Sequence, residues 1–181
     1  MSRKSIKRIT IAFFLLTSIF YSLHELCPST VQGKNYDLIP VATVHDGDTV
    51  SVIINQKKEK VRLIGIDAPE IGQKPWGNKA KKYLDALLSS SGWKVTLEFD
   101  DDKRDKHGRI LAYLWTMKGE MINLLMLKNG YAMLFTFPPN VKYVDDLKAA
   151  QQEARDRGLG IWGEKGLRQR PVDYRREHPR I

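Results

Sequence analysis

Two carboxylates flank a glycine in Asp46-Gly47-Asp48-Thr49. The plain reading is a hairpin turn, because Asp-Gly is the strongest short hairpin signal. Asp48 fits that reading least, since it opens the β-branched run that follows rather than sitting at the tip. A second run, Val61-Arg62-Leu63-Ile64-Gly65-Ile66-Asp67-Ala68-Pro69-Glu70, is apolar at both parities, which predicts a strand buried on both faces. An arginine inside such a strand is costly unless it meets an anion: an internal carboxylate, or a phosphate that suits its planar fork. Asp67 and Glu70 follow, at a corner stiffened by proline. A third run, Asp105-Lys106-His107-Gly108-Arg109, again sets an arginine against an apolar strand, beside a glycine that permits close approach of a ligand. A solvated hairpin loop is its plainer account, above all for Lys103, Arg104 and Lys106. No glycine stands sixth from Asp100 or Asp101, so these acids make no EF-hand. Taken together, the acidic corners and the two strand-edge arginines supply the groups for metal-assisted phosphoryl chemistry. Carboxylates hold a hard cation, guanidiniums hold phosphate oxygens, and a spare carboxylate handles water.

The elements that must position these groups follow from periodicity. Residues 38–45, 49–55 and 60–66 read as strands in an antiparallel meander, with polar turns at Asp46-Gly47-Asp48 and Gln56-Lys57-Lys58. Residues 76–88 carry Ala80, Tyr83, Leu84, Leu87 and Leu88 on one helical stripe. Residues 93–99 and 110–116 read as strands around the charged loop 100–109. Residues 121–128 form a short helix stopped by Asn129-Gly130, and 141–157 a longer one ended by Gly158. Five strands and about three helices predict an α+β, mainly β fold: a small closed antiparallel barrel capped by helices, since closure removes exposed edges. Trp93, Trp115 and Trp162 lie in apolar runs and are expected in the core.

The whole chain of 181 residues carries a net charge of +9, which favours polyanionic partners without choosing among them. Its single cysteine, Cys27, excludes an intrachain disulfide, and the four scattered histidines offer no pair at metal-ligand spacing. Arg3, Lys4, Lys7 and Arg8 precede an uncharged apolar run at 9–23, the order of a secretory signal and short for a membrane span. Residues 1–33 are therefore expected to be a signal peptide or an N-terminal anchor, and the protein to be exported, secreted or periplasmic. Without them 26 Lys/Arg still face 20 Asp/Glu, a net +6. The 164–181 tail holds six Lys/Arg against three acids and little apolar content, so it is expected to be disordered or draped on the surface.

The three charged runs, in this order, resemble the signature segments of the staphylococcal nuclease (thermonuclease) family, and the resemblance extends from about Tyr36 through Trp162. It implies a five-stranded OB-fold barrel over residues 34–163 and Ca²⁺-dependent endonucleolytic hydrolysis of phosphodiester bonds in DNA and RNA. By motif, Asp48, Asp67 and the Ala68 carbonyl would ligate calcium, Arg62 and Arg109 would grip the scissile phosphate, and Glu70 would orient or deprotonate water. Asp46 would brace the turn. Family members often carry threonine where Ala68 stands, and well-known members hold the nucleotide with tyrosines. Here Lys106, His107, Phe135 and Phe137 are the residues expected to contact substrate, and phenyl rings can stack on bases without donating to phosphate. No protein partner is implied, and the chain is expected to act as a monomer, with a membrane involved only if the leader stays attached. Two rivals have other signatures. A non-catalytic nucleic-acid-binding barrel would normally have lost one of these charged residues, and none is lost here. A membrane-anchored basic module would use residues 9–23 as its span.

Overall fold

A computed structural model of the chain describes residues 37–179, so the leader at 1–33 lies outside the described residues. The strands are β1 (Ile39–Val44), β2 (Thr49–Ile54), β3 (Lys57–Leu63), β4 (Ile66–Asp67), β5 (Lys94–Glu98), β6 (Ile110–Trp115) and β7 (Met133–Leu134). Among the described residues four helices join them: α1 (Trp76–Ser90), α2 (Ile122–Lys128), α3 (Val144–Asp156) and α4 (Pro171–Glu177), with a 3₁₀ turn at Gly160–Trp162. The barrel closes in the order β1-β2-β3-β6-β5, and β4 pairs with β7 as a separate ribbon.

The expected five-stranded barrel is present, with one difference in pairing. β3 and β6 run parallel, with Arg62 opposite Leu111, whereas an antiparallel barrel is expected from the sequence. A parallel neighbour needs a crossover, and the chain makes one through β4, α1 and β5 before it returns at β6. The β2–β3 turn also shifts. Ile54 pairs with Lys57, so Asn55 and Gln56 form a two-residue loop with φ of 48° and 63°, and Lys57 and Lys58 belong to the strand.

The core is the barrel interior and its helical cap. Val50, Val52, Val61, Val95, Ala112 and Leu114 are fully buried from the strands, and Ala80, Leu84 and Leu88 cover them from one face of α1. Burying a leucine such as Leu84 stabilises by about 1.5–3 kcal/mol, which anchors α1 although it has no side-chain N-cap. Trp93 departs from expectation: it is 37% exposed, at a turn residue with φ of 57° before β5. Asn123 is fully buried at the start of α2. Its Oδ1 accepts from the Leu114 N–H (2.9 Å) and its Nδ2 donates to the Ile64 carbonyl (2.8 Å). One side chain thus ties α2 to β6 and to the segment that delivers Asp67.

Candidate active site

The acidic corner before β2 closes the antiparallel β1–β2 hairpin, with the His45 N–H donating to the Thr49 carbonyl at 2.9 Å, and it is also fixed by close packing. A Cβ on Gly47 would lie 2.6 Å from Ala68 Cβ and 2.7 Å from Ala80 Cβ, so only glycine lets this corner rest against α1 and the β4 exit. Asp48, 5% exposed, then reaches Ala68, whose N–H donates to its Oδ2 at 2.7 Å. Thr49 Oγ1 donates to Asp48 Oδ1 at 2.9 Å. Asp46 Oδ1 accepts from the Asp48 N–H at 3.1 Å, so Asp46 braces the turn. Burial, and next the neighbouring Asp48 charge, push the Asp46 carboxyl up to about 7.

Arg62 pairs across the β2–β3 ladder with Thr49, which sets its guanidinium between the two acids. Nη1 lies 2.9 Å from Asp48 Oδ2 and Nη2 donates to Asp67 Oδ1 at 3.1 Å. The internal carboxylate and the phosphate were both open as partners for this arginine; here the carboxylates hold it. Asp67 is 2% exposed, and burial raises its pKa against the lowering pull of Arg175 and Arg62. Arg109 gives Nε to Asp105 Oδ2 at 2.7 Å, and Asp105 Oδ1 also accepts the His107 and Arg109 backbone N–H groups. An Nε contact fixes the plane of a guanidinium without using its outer edge. Burial pushes the Asp105 carboxyl up, but the Arg109 hydrogen bonds outweigh it and hold the carboxyl below its ordinary range. Gly108, with φ of 76°, makes this tight loop possible.

These groups meet at an open cavity of about 630 Å³ whose walls include Asp48, Arg62, Glu70 and Arg109, with His107 and Phe135 on its rim. A second hollow of about 480 Å³ shares Arg62, His107, Arg109 and Phe135 and adds Lys106 and Phe137. The expected substrate contacts therefore divide. His107 and Phe135 border both hollows, whereas Lys106 and Phe137 border only the second. Phe135 and Phe137 are 41% and 73% exposed, as stacking surfaces must be. Asp67 and Ala68 lie buried behind the cavity wall rather than on it. Among the described residues, no three His, Cys, Asp or Glu side chains converge as a closed cation cage. The buried Asp48 and Asp67 carboxylates, both bound to Arg62, are oxygen donors of the kind that could hold a hard cation.

The sequence reading missed the C-terminal contribution. Residues 164–179 are ordered and docked, and α4 brings Arg175 into the cavity wall. Arg175 donates to Asp67 Oδ1 and Oδ2 at 2.9 and 3.0 Å and to Glu70 Oε1 at 2.9 Å. A second tie runs through Gln73, whose Oε1 accepts the Glu70 N–H while its Nε2 donates to the Gln169 carbonyl. A local signal existed: Pro171 at the first helical turn, Asp173 in that turn, and Arg175 and Arg176 in the last. Low apolar content hid it, because the segment docks mainly through charge and backbone contacts.

Comparison with known proteins agrees with this geometry. A family model described as staphylococcal nuclease homologue matches residues 60–164. Endonuclease YncB of Bacillus subtilis is 36% identical over 81% of this chain and 72% of its own length. The thermonuclease of Staphylococcus intermedius is 38% identical over 73% of this chain and 78% of its own. An uncharacterized endonuclease of Escherichia coli is 32% identical over 82% of this chain and 88% of its own. With barrel, motifs and relatives in accord, the chain belongs to the staphylococcal nuclease family and is a nuclease.

Proposed function

We propose that this nuclease is a Ca²⁺-dependent endonuclease that hydrolyses phosphodiester bonds within DNA and RNA. The observation that carries the reading is one cavity whose walls hold the buried Asp48 carboxylate, the Arg62 and Arg109 guanidiniums and the Glu70 carboxylate, with buried Asp67 bound to Arg62 behind them. Asp48, Asp67 and the Ala68 carbonyl would hold the ion, which when bound supplies a Lewis acid for a phosphate oxygen. Arg62 and Arg109 would then turn their outer N–H edges to the phosphate and stabilise the charge that develops on it. Glu70 would accept the proton of the attacking water as the water oxygen bonds to phosphorus and a P–O ester bond breaks. Phe135 and Phe137 would stack on bases beside the scissile bond, with Lys106 and His107 contacting the strand. Stacking and phosphate contact read neither sugar nor sequence, which supports cleavage of both DNA and RNA.

The test is incubation of the purified chain with closed circular plasmid and with RNA, in calcium or in chelator. Internal cuts in both substrates with calcium, and none with chelator, are expected. Undiminished cleavage in chelator would overturn the metal assignment. Export is the second part of the proposal, supported by the basic start and the apolar run at 9–23. Among the described residues, no helix is long and apolar enough to cross a membrane. N-terminal sequencing of the protein from its host should find a new start within residues 28–35; an intact Met1 in the membrane fraction would reverse this.

A further inference from the structure

We propose that Arg175 is a counter-cation built into the site, which competes with the divalent ion for Asp67, so that ion binding lifts the C-terminal arm from the cavity. The proposal rests on the reading of Asp67 as a metal ligand. Asp67 is nearly inaccessible, and its two oxygens accept three charged N–H groups: one from Arg62 and two from Arg175. A carboxylate has about four lone-pair directions, so little capacity is left for a cation that needs oxygen at about 2.3–2.6 Å. A guanidinium in bidentate contact with the same carboxylate would also face the ion at close range, like charge against like charge, in a poorly screened place.

One of the two arginines must yield, and their supports differ. Arg62 stands in the middle of a barrel, laddered to β2 on one side and β6 on the other, and is also held by Asp48. Arg175 stands on α4, a seven-residue helix whose only buried residue is Pro171. The arm's other ties include single hydrogen bonds from Gln73 to the Gln169 carbonyl at 2.9 Å and from Trp76 Nε1 to the Lys165 carbonyl at 3.2 Å, and, at its root, from the Leu167 N–H to the Ile161 carbonyl at 3.0 Å. Tyr174 rests on the backbone at Gly72, where a Cβ would lie 2.2 Å from its hydroxyl oxygen. The arm is therefore shaped to dock, yet Arg175 provides its strongest contacts. There it neutralises Asp67 and Glu70 and closes one wall of the cavity. When the ion takes Asp67, Arg175 gives up its contacts with Asp67 and Glu70, and the wall opens to the strand.

The test needs no nucleic acid. Calcium is titrated calorimetrically into the full-length chain and into Arg175→Gln. The variant should bind calcium about 5- to 150-fold more tightly, the usual size of coupling between two sites. Hydrogen exchange of the unmutated protein gives a readout that does not depend on the variant's folding: calcium should speed exchange of the amides in residues 171–177 while slowing it around Asp67. Equal or weaker calcium binding by a folded Arg175→Gln, or α4 amides that gain protection from calcium, would overturn the competition and leave the nuclease reading intact. Absence of calcium binding in both proteins would overturn the competition and the metal assignment together.

Discussion

The charged side chains of the site differ in how many partners they serve, and that sets what the loss of each should do. Arg62 is pinned between Asp48 and Asp67, so its removal exposes two buried carboxylates to each other as well as withdrawing a phosphate donor. Arg109 has only Asp105 beside it, at the rim, and is the cleaner probe. Arg109→Ala is expected to cut kcat by about 10²- to 10³-fold, the usual loss for one preorganised donor, with the melting temperature nearly unchanged. Parental turnover in a folded Arg109→Ala would remove it from the site. Glu70→Gln should turn over as slowly yet still bind calcium, since Glu70 is assigned to water and not to the ion; calorimetry and single-turnover kinetics separate the two effects. His45 is a structural member of the same wall. Its Nε2 contacts Ser51 Oγ at 2.8 Å, and burial, then the positive charges of Lys60, Lys58 and Lys81, hold its pKa below the ordinary 6.5. The unfolded chain therefore takes up that proton first as pH falls. The stability His45 contributes is complete above 6.5 and is lost as pH falls through its depressed folded value. Melts at about pH 7.5 and about pH 5 should show the parent losing more than His45→Gln. An equal loss in both would remove His45 from the pH response.

At the level of elements, the barrel and the three motifs were legible because they rest on local patterns. β-branched runs, an Asp-Gly corner and a Pro-stopped strand are readable one segment at a time. What was hidden depends on distant contacts. The parallel β3–β6 pair follows from a crossover of more than forty residues, which no window shows. Trp93 looked like core by composition, but its φ of 57° places it in the turn that aims β5. Arg175 acts on Asp67 from more than one hundred residues away, so spacing could not join them. Asn123 is a similar case: an ordinary polar residue at a helix start that turns out to be a fully buried bolt. Asn123→Ala leaves the Leu114 N–H and the Ile64 carbonyl without this partner in the interior. A buried group left unsatisfied costs about 1–3 kcal/mol, so a loss near the top of that range is expected in urea unfolding. Because the bolt holds the Ile64 exit that delivers Asp67, calcium affinity should fall with it. Unchanged stability and calcium binding would show that water or a neighbour takes over both groups.

For the whole molecule, a net +9 predicts attraction to polyanions, but the structure decides which charges remain available for it. The tail's six Lys/Arg suggested a basic arm for the strand. In fact Arg170 and Arg176 pair with Asp173, and Arg175 pairs with Asp67 and Glu70, so much of that charge is neutralised within the fold. The other candidate is β3, where Lys58, Lys60 and Arg62 alternate on one face, with Lys60 bordering the cavity next to Arg62. Alternate strand residues are about 6.5–7 Å apart, so this row offers successive cations to a backbone leaving the scissile phosphate. Each phosphate neutralised by such a lysine releases counterions, and its loss should flatten the salt dependence of binding by about one unit of slope. Binding of a catalytically silent Glu70→Gln protein to single-stranded DNA, measured across salt concentrations, isolates this effect from turnover. Adding Lys60→Gln should lower the log–log slope, whereas adding Arg176→Gln should leave it unchanged because Arg176 does not line the cavity. If Arg176→Gln flattens the slope and Lys60→Gln does not, the strand leaves the cavity along the arm and not along β3.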